Sequence, residues 1–427
     1  MGEVRIPYGG KKLSLKIPDR NLAMVFDPPF PPGIRNLSAE VLRALDEPVA
    51  GAPFSEQIGR GKKVLLLIDN FARLTPAFLI LPPILQRLKK ARARVEILVA
   101  SGGLREMNET ELRRKLGEEI LNSGVSVSQS RCKDSWDFEF IGLTKFGTPV
   151  NLHRKLLRAD FSLAITMTQA TLWGYGGGGS MVLPGVSSYE TIEWNHRLTV
   201  APYSGVGYQP PRNLMRLDIE EACAMSGLSM SLLVILNPDL RVIEATAGET
   251  NSACRASVAK YDRYYTLDKT SLPGGALDIA ISGSFPGDRF FAHACWPAAN
   301  LDFFTKPGGT IIIAAPSPGG LAHYAYAKDY MPPDRSAFRR LYEDIFYGKQ
   351  PLWHACLWLP LLRVLAQKEI IVVTEEKNLP AFQQVKLPAV TNLNEALRMA
   401  LKKHGPRASV GVFPYGKWVL PKGLNES

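Results

Sequence analysis

Near the start of the chain, Leu13, Leu15 and Ile17 alternate with polar residues and follow Tyr8-Gly9-Gly10. Period-two alternation beside a glycine turn predicts a β-hairpin. The pattern then changes. Residues 64–68 form an unbroken apolar run, as expected of a strand buried on both faces. Helical spacing follows over 77–91, where Pro82-Pro83 predicts a kink or a delayed start. Residues 95–100 give the next apolar strand and complete a βαβ unit. Residues 162–167 predict another strand, ending in a glycine-rich loop, and 232–248 reads as a hairpin.

A composition break near 267–276 precedes a restart of the same pattern. Strands are expected at 276–283, 308–316 and 368–376, with a helix-like stretch over 290–304 interrupted at Pro297. An amphipathic helix is expected over 392–405, capped by Asn392 or Asn394 and stopped by Gly405, then a late strand at 408–413. Strands alternating with helices predict an α/β fold: two α/β domains with largely parallel sheets and an interdomain cleft. The expected division is 1–268 and 269–407, with 408–427 packing back on the first domain.

Composition narrows the function classes. The chain has 427 residues, of which 46% are hydrophobic, enough for more than one core. No apolar run reaches the ~18 residues of a membrane span, and the first residues lack a signal-peptide apolar stretch. The five cysteines are scattered without a CxxC pair, which predicts no disulfide framework and a cytoplasmic protein. The net charge of +11 is dispersed, with no basic stripe and no interleaved aromatics. That excludes nucleic acid and leaves a small anion as the expected partner.

In parallel sheets, ligands bind beyond the carboxyl ends of strands. The loops there are 69–73 (DNFAR), 101–105 (SGGLR), 169–179, 282–288 and 316–320. Two of them end in arginine, whose planar fork suits carboxylate or phosphate. The run 176–179 holds four consecutive glycines. It contains no Walker A sequence. Gly174-x-Gly176-x-x-Gly179 matches the dinucleotide pattern in letters, but Pro184-Gly185 argues against an immediate long helix. His196 and His293 are candidate ligand or acid–base groups, and no HxH, HExxH or EF-hand spacing accompanies them.

Five segments in order carry a resemblance: IPYGGKKLSLKIPDRN, LLLIDNFARLTP, LVASGGLREMNETEL, GYGGGGSMVLPGVSSYETIEWNH and GSFPGDRFFAHACWPA. Together they resemble the nickel-pincer lactate racemase (LarA) family. The resemblance implies racemisation or epimerisation of a 2-hydroxy acid by hydride transfer to a nickel-pincer pyridinium nucleotide. That cofactor is tethered to a lysine as a thioamide, and a histidine ligates the nickel.

Matched residue by residue, the chain departs from the family where the chemistry lies. Asp69 and Arg73 keep two positions of the DDxTR pattern, while Asn70 and Ala72 replace the others. Leu104, before Arg105, stands where one catalytic histidine is expected, and Ala170 lies near the place of the second. Ser180 replaces the tethering lysine. His196 matches the nickel ligand. His293 and Trp296 replace a glutamine and a lysine of the second domain. The resemblance therefore implies cofactor contacts at Asp69, Arg73, Arg105, Gly177, Gly178, Gly179 and Ser180, metal at His196, and His293 as a substitute acid–base group. A pincer nucleotide would be held without a covalent tether; failing that, no cofactor is implied.

Three functions follow as expectations. The chain is a racemase-like isomerase with a rebuilt site. Alternatively, it is a non-catalytic relative that binds a nucleotide or small anion in the cleft. A third option is a different metal enzyme built on His196, His293 and Asp288.

Overall fold

The computed structural model describes residues 2–350 and 352–426, with the side chains of 323, 326 and 352–354 left aside. Its strands fall mainly into two six-stranded sheets. The first runs Val242–Gly248, Met230–Leu236, Phe161–Met167, Lys63–Asp69, Arg94–Ala100, Ser126–Gln129. Only its Val242–Gly248 edge is antiparallel. Every residue of Phe161–Met167 and Met230–Leu236 is buried, as their apolar runs require at the centre of a covered sheet.

The second sheet is all parallel: Ala389–Val390, Glu369–Val373, Thr305–Ala314, Leu277–Gly283, Val410–Phe413, Leu22–Val25. The expected early hairpin pairs Gly2–Tyr8 with Lys11–Ile17. Its Ile6, Leu15 and Ile17 pack with Ile279, Ile281, Val410 and Val412 in one core.

The two chain ends thus complete the second sheet, unlike the assignment of 1–25 and 408–413 to the first domain. Val410–Phe413 is wholly buried and needs a strand on each side. Asp278 fixes its register by accepting from Ser409 N and Oγ, each at 2.8 Å. Beyond it the chain does cross back. Leu420–Pro421 pairs with Thr266–Leu267, and Tyr261 Oη donates to Trp418 O at 2.8 Å.

Two local readings change. The helix Ala77–Lys90 runs on through Pro82 and Pro83. The stretch near Pro297 is two helices, Phe291–Ala294 and Trp296–Leu301, with the proline inside the first turn of the second, where its missing N–H costs nothing. Helix Leu393–His404 matches expectation, with Asn392 accepting from Asn394 N and Glu395 N and Gly405 following at φ +86°. Among the described residues, no helix is long and apolar enough to cross a membrane.

Candidate functional site

Two adjoining cavities lie between the sheets, beyond the carboxyl ends of strands from both. The smaller, of about 110 Å³, abuts the glycine loop and is lined by Asp69, Arg73, Gly177, Ser180, His196, His293, Leu104 and Trp296, among others. The larger, of about 500 Å³, shares Arg73 and His293 and adds Gln169, Arg289 and Lys417. Loops and helices far apart in the chain therefore converge on one place.

The strand Lys63–Asp69 delivers Asp69 to the base of the small cavity. Both carboxylate oxygens are already engaged. Lys115 Nζ donates to Oδ1, while Thr75 and Thr166 hydroxyls donate to Oδ2, the latter at 2.9 Å. Burial pulls the Lys115 ammonium below its usual range, and Asp69 opposes that shift. Asp69 anchors the loop from within. Asn70 acts similarly. Its amide donates to Ser101 O at 3.0 Å and its oxygen accepts from Ala72 N at 3.0 Å, locking two ligand-facing loops together.

Arg73 follows on that loop and lines both cavities. Its guanidinium lies 6.0 Å from the Trp296 ring centre. Arg105, its expected companion, lines neither cavity and is half exposed. Its two terminal nitrogens grip Glu111 at 2.7 and 2.8 Å, and the group lies over the Phe71 ring at 4.6 Å. The guanidinium holds the Glu111 carboxyl down at about 2. The fork is spent on a protein carboxylate.

The glycine loop begins as a short hairpin, Gln169–Thr171 against Gly174–Gly176, and then enters a turn over Gly178–Met181. A helix starts only at Tyr189, so the dinucleotide geometry of strand, glycine turn and immediate helix is not formed. Gly177 lines the small cavity with its backbone, and a Cβ on it would sit 2.8 Å from Leu233 and 3.0 Å from Met167 O. Gly178 and Gly179 turn the other way. A Cβ on Gly178 would sit 1.8 Å from Cys254 Sγ, and one on Gly179 would sit 3.2 Å from Ile219. These two glycines serve helix packing. Gly178 also holds φ +48°, so Gly178→Ala is expected to cost about 2 kcal/mol, read as a lowered urea midpoint with an unchanged slope.

Ser180 lies where the resemblance places the tethering lysine. Its hydroxyl accepts from Arg216 Nη1 at 2.7 Å. Arg216, on helix Leu214–Ser226, also lines the small cavity, and burial lowers its pKa. Sequence reasoning missed it. The available signal was Asn213, which caps that helix and accepts from Arg216 N at 3.1 Å.

His196 closes the two-turn helix Tyr189–His196, capped by Ser188. It is 1% exposed. Nδ1 meets the Ile192 carbonyl at 2.9 Å, which calls for the proton on Nδ1 and leaves Nε2 as the ring's acceptor. Burial pushes its pKa down to about 4, so the ring is neutral at physiological pH. Trp173 stands edge-on to it at 5.3 Å. His293, on Phe291–Ala294, is half-buried and packs 5.6 Å from Trp296. Asp288 accepts from Gly9 N at 3.0 Å and lines neither cavity. Among the described residues, no three His, Cys, Asp or Glu side chains cluster to hold a metal, so the three-residue metal site is not assembled.

Lys417 is the second residue missed from sequence. It is 6% exposed, sits on the turn Gly416–Trp418 and lies 4.6 Å from the Trp296 ring centre. No sequence motif surrounds it.

Comparison with known proteins bears on this geometry. The model of the lactate racemase N-terminal domain matches residues 8–207, and that of the lactate racemase C-terminal domain matches 276–420. The chain belongs to the lactate racemase family. Lactate racemases of Thermoanaerobacterium thermosaccharolyticum and Lactiplantibacillus plantarum are each 26% identical to it. The alignments cover 98% and 99% of this chain and 99% and 100% of theirs. The structure of the lactate racemase apoprotein from T. thermosaccharolyticum superposes with a TM-score of 0.87 at 23% identity, covering 99% of this chain and 100% of that one. A Thermotoga maritima protein structure matches at 0.66 and 16% identity, over 90% of this chain and 97% of that one. The fold is that of lactate racemase: mixed α/β, with largely parallel sheets in two domains.

The family's tethered nickel-pincer nucleotide does not fit the residues present. Ser180 has no amine to form a thioamide, and Arg216 occupies its hydroxyl. Leu104 and Ala170 transfer no protons.

Proposed function

We propose that this lactate racemase relative binds a short 2-hydroxy or 2-oxo acid in its interdomain cleft and does not run the tethered nickel-pincer reaction. The carrying observation is the Ser180 corner, where Arg216 donates to the hydroxyl at 2.7 Å in place of an amine awaiting a cofactor. What remains suits a small anion. Arg73 brings positive charge to a cavity of about 500 Å³ reached from both domains, and Lys417 adds an amine beside it. Phe71, Leu74, Phe78 and Phe290 keep it partly apolar, which strengthens a charged hydrogen bond to a carboxylate.

The test is co-expression with enzymes that make the pincer nucleotide. The purified chain is expected to keep its unmodified mass, to interconvert D- and L-lactate no faster than buffer, and to gain thermal stability with millimolar lactate or pyruvate. Racemisation at an ordinary enzymatic rate would overturn the reading.

The retained His196 favours a second reading, a nickel nucleotide bound without a tether. Its neutral ring and oriented Nε2 are the form a metal takes. Stoichiometric nickel, with a nucleotide mass released on denaturation, would replace the first reading by this one.

A further inference from the structure

By the resemblance, Trp296 stands where the family has a second-domain lysine, and a lysine from another part of the chain lies against that tryptophan. Lys417 reaches the Trp296 ring at 4.6 Å and lines the larger cavity. Among the described residues, no carboxylate lies within ion-pair distance of its Nζ, and no hydrogen bond holds that atom. Its backbone is held firmly instead. Gly416 N donates to Ser282 Oγ at 3.1 Å, which fastens the turn to the carboxyl end of strand Leu277–Gly283. A Cβ on Gly287 would come within 2.9 Å of Nζ, so a glycine is what gives the amine its room. A buried lysine with no direct ion pair is costly to keep, even with the Asp288 charge favouring its ammonium, and here it is placed where parallel sheets bind ligands.

We propose that Lys417 is a nucleophilic amine that forms an imine with a small 2-oxo acid held in the larger cavity. The inference rests on the reading of the cleft as a site for short 2-hydroxy or 2-oxo acids. Arg73, lining the same cavity, takes the carboxylate through its fork. The neutral Nζ adds to the adjacent carbonyl carbon. The carbonyl oxygen then leaves with the two amine protons as water, and C=N replaces C=O. No oxidant or reductant enters. His293 lines the cavity too and is of the type that protonates a departing hydroxyl. Burial and the neighbouring Arg73 push the Lys417 amine down to about 7, which keeps much of it unprotonated at neutral pH.

The experiment uses the full chain, pyruvate and cyanoborohydride, with intact-mass analysis and peptide mapping. The expected result is one reduced pyruvate adduct per chain, mapped to Lys417 and absent from Lys417→Arg. Arg73→Gln should raise the pyruvate concentration for half-maximal trapping about ten-fold or more. Adducts spread over surface lysines in the proportions seen with an unrelated protein would overturn the proposal, and so would undiminished trapping in Lys417→Arg. The mapping of the unsubstituted chain decides even if a variant fails to fold. Thermal stabilisation by pyruvate without an adduct keeps the cleft reading and removes the imine. An adduct on Lys417 in a chain that also racemises lactate keeps the imine and removes the claim that the tethered reaction does not run.

Discussion

Replacing Asp69 by alanine is expected to destabilise the fold by about 3–5 kcal/mol, the range for removing one partner of a buried ion pair. Lys115 would be left in a dry site with only the Arg73 carbonyl, 3.1 Å away, to accept from its ammonium. The Thr166 hydroxyl, now 2.9 Å from Oδ2, would lose its acceptor as well. The measurement is urea unfolding at neutral pH, followed by fluorescence. A double variant, Asp69→Ala with Lys115→Met, should recover much of the loss, because an apolar side chain of similar length leaves no charge behind. If the single variant unfolds at the same urea concentration as the parent, the carboxylate is not the anchor of the loop. Its role would then lie with the ligand, as the family pattern implies.

Lys417→Met is expected to act in the opposite direction and to stabilise, on the order of 3 kcal/mol near pH 6. The sign follows from the lowered pKa. In the unfolded chain the lysine keeps its ordinary value of 10.5, while in the fold burial and Arg73 bring it to about 7, with Asp288 and Cys295 opposing. Below pH 7 both states are protonated, so the fold carries the full cost of a buried ammonium. Between pH 7 and 10.5 the unfolded state binds more protons, so the parent chain gains stability as pH rises. The advantage of the methionine variant should therefore shrink from pH 6 toward pH 10. His293, half-buried on the same cavity, and Arg73 must be left unchanged in this comparison. An advantage independent of pH would mean that the amine is already satisfied in the fold. A stabilising loss of a lysine at a ligand site is what a residue kept for function produces.

Much of the architecture could be read along the chain. Uninterrupted apolar runs such as Val64 to Ile68 become central strands, because a strand covered on both faces has no polar side to show. The helix Leu393–His404 was legible from its cap and its stop, both local chemistry. Other helices were not read. Thr250–Tyr265 carries its apolar contacts on tyrosines whose hydroxyls bond across the fold, which blurs the periodicity.

The candidate site was legible in part. Sequence alone selected Arg73, Ser180, His196 and His293, and the fold gathers all four around one cavity. It also singled out Arg105, Gly178 and Gly179, which the fold turns to Glu111, Cys254 and Ile219. An arginine's letter does not say which carboxylate will take its fork, and a glycine's does not say whether protein or ligand fills the space beside it.

What the sequence by itself determined is the fold class, the family and the serine at position 180, where the resemblance expects an amine. These depend on local periodicity and on residue type at matched positions. The partition of the chain between the two sheets, the capture of Ser180 by Arg216, and the arrival of Lys417 beside Trp296 were decided only by tertiary structure. Each joins residues far apart in the chain, Lys417 and Trp296 by more than a hundred positions. Such contacts leave no period or spacing in the sequence, because they are fixed by which strands pair and by what the packed core leaves open.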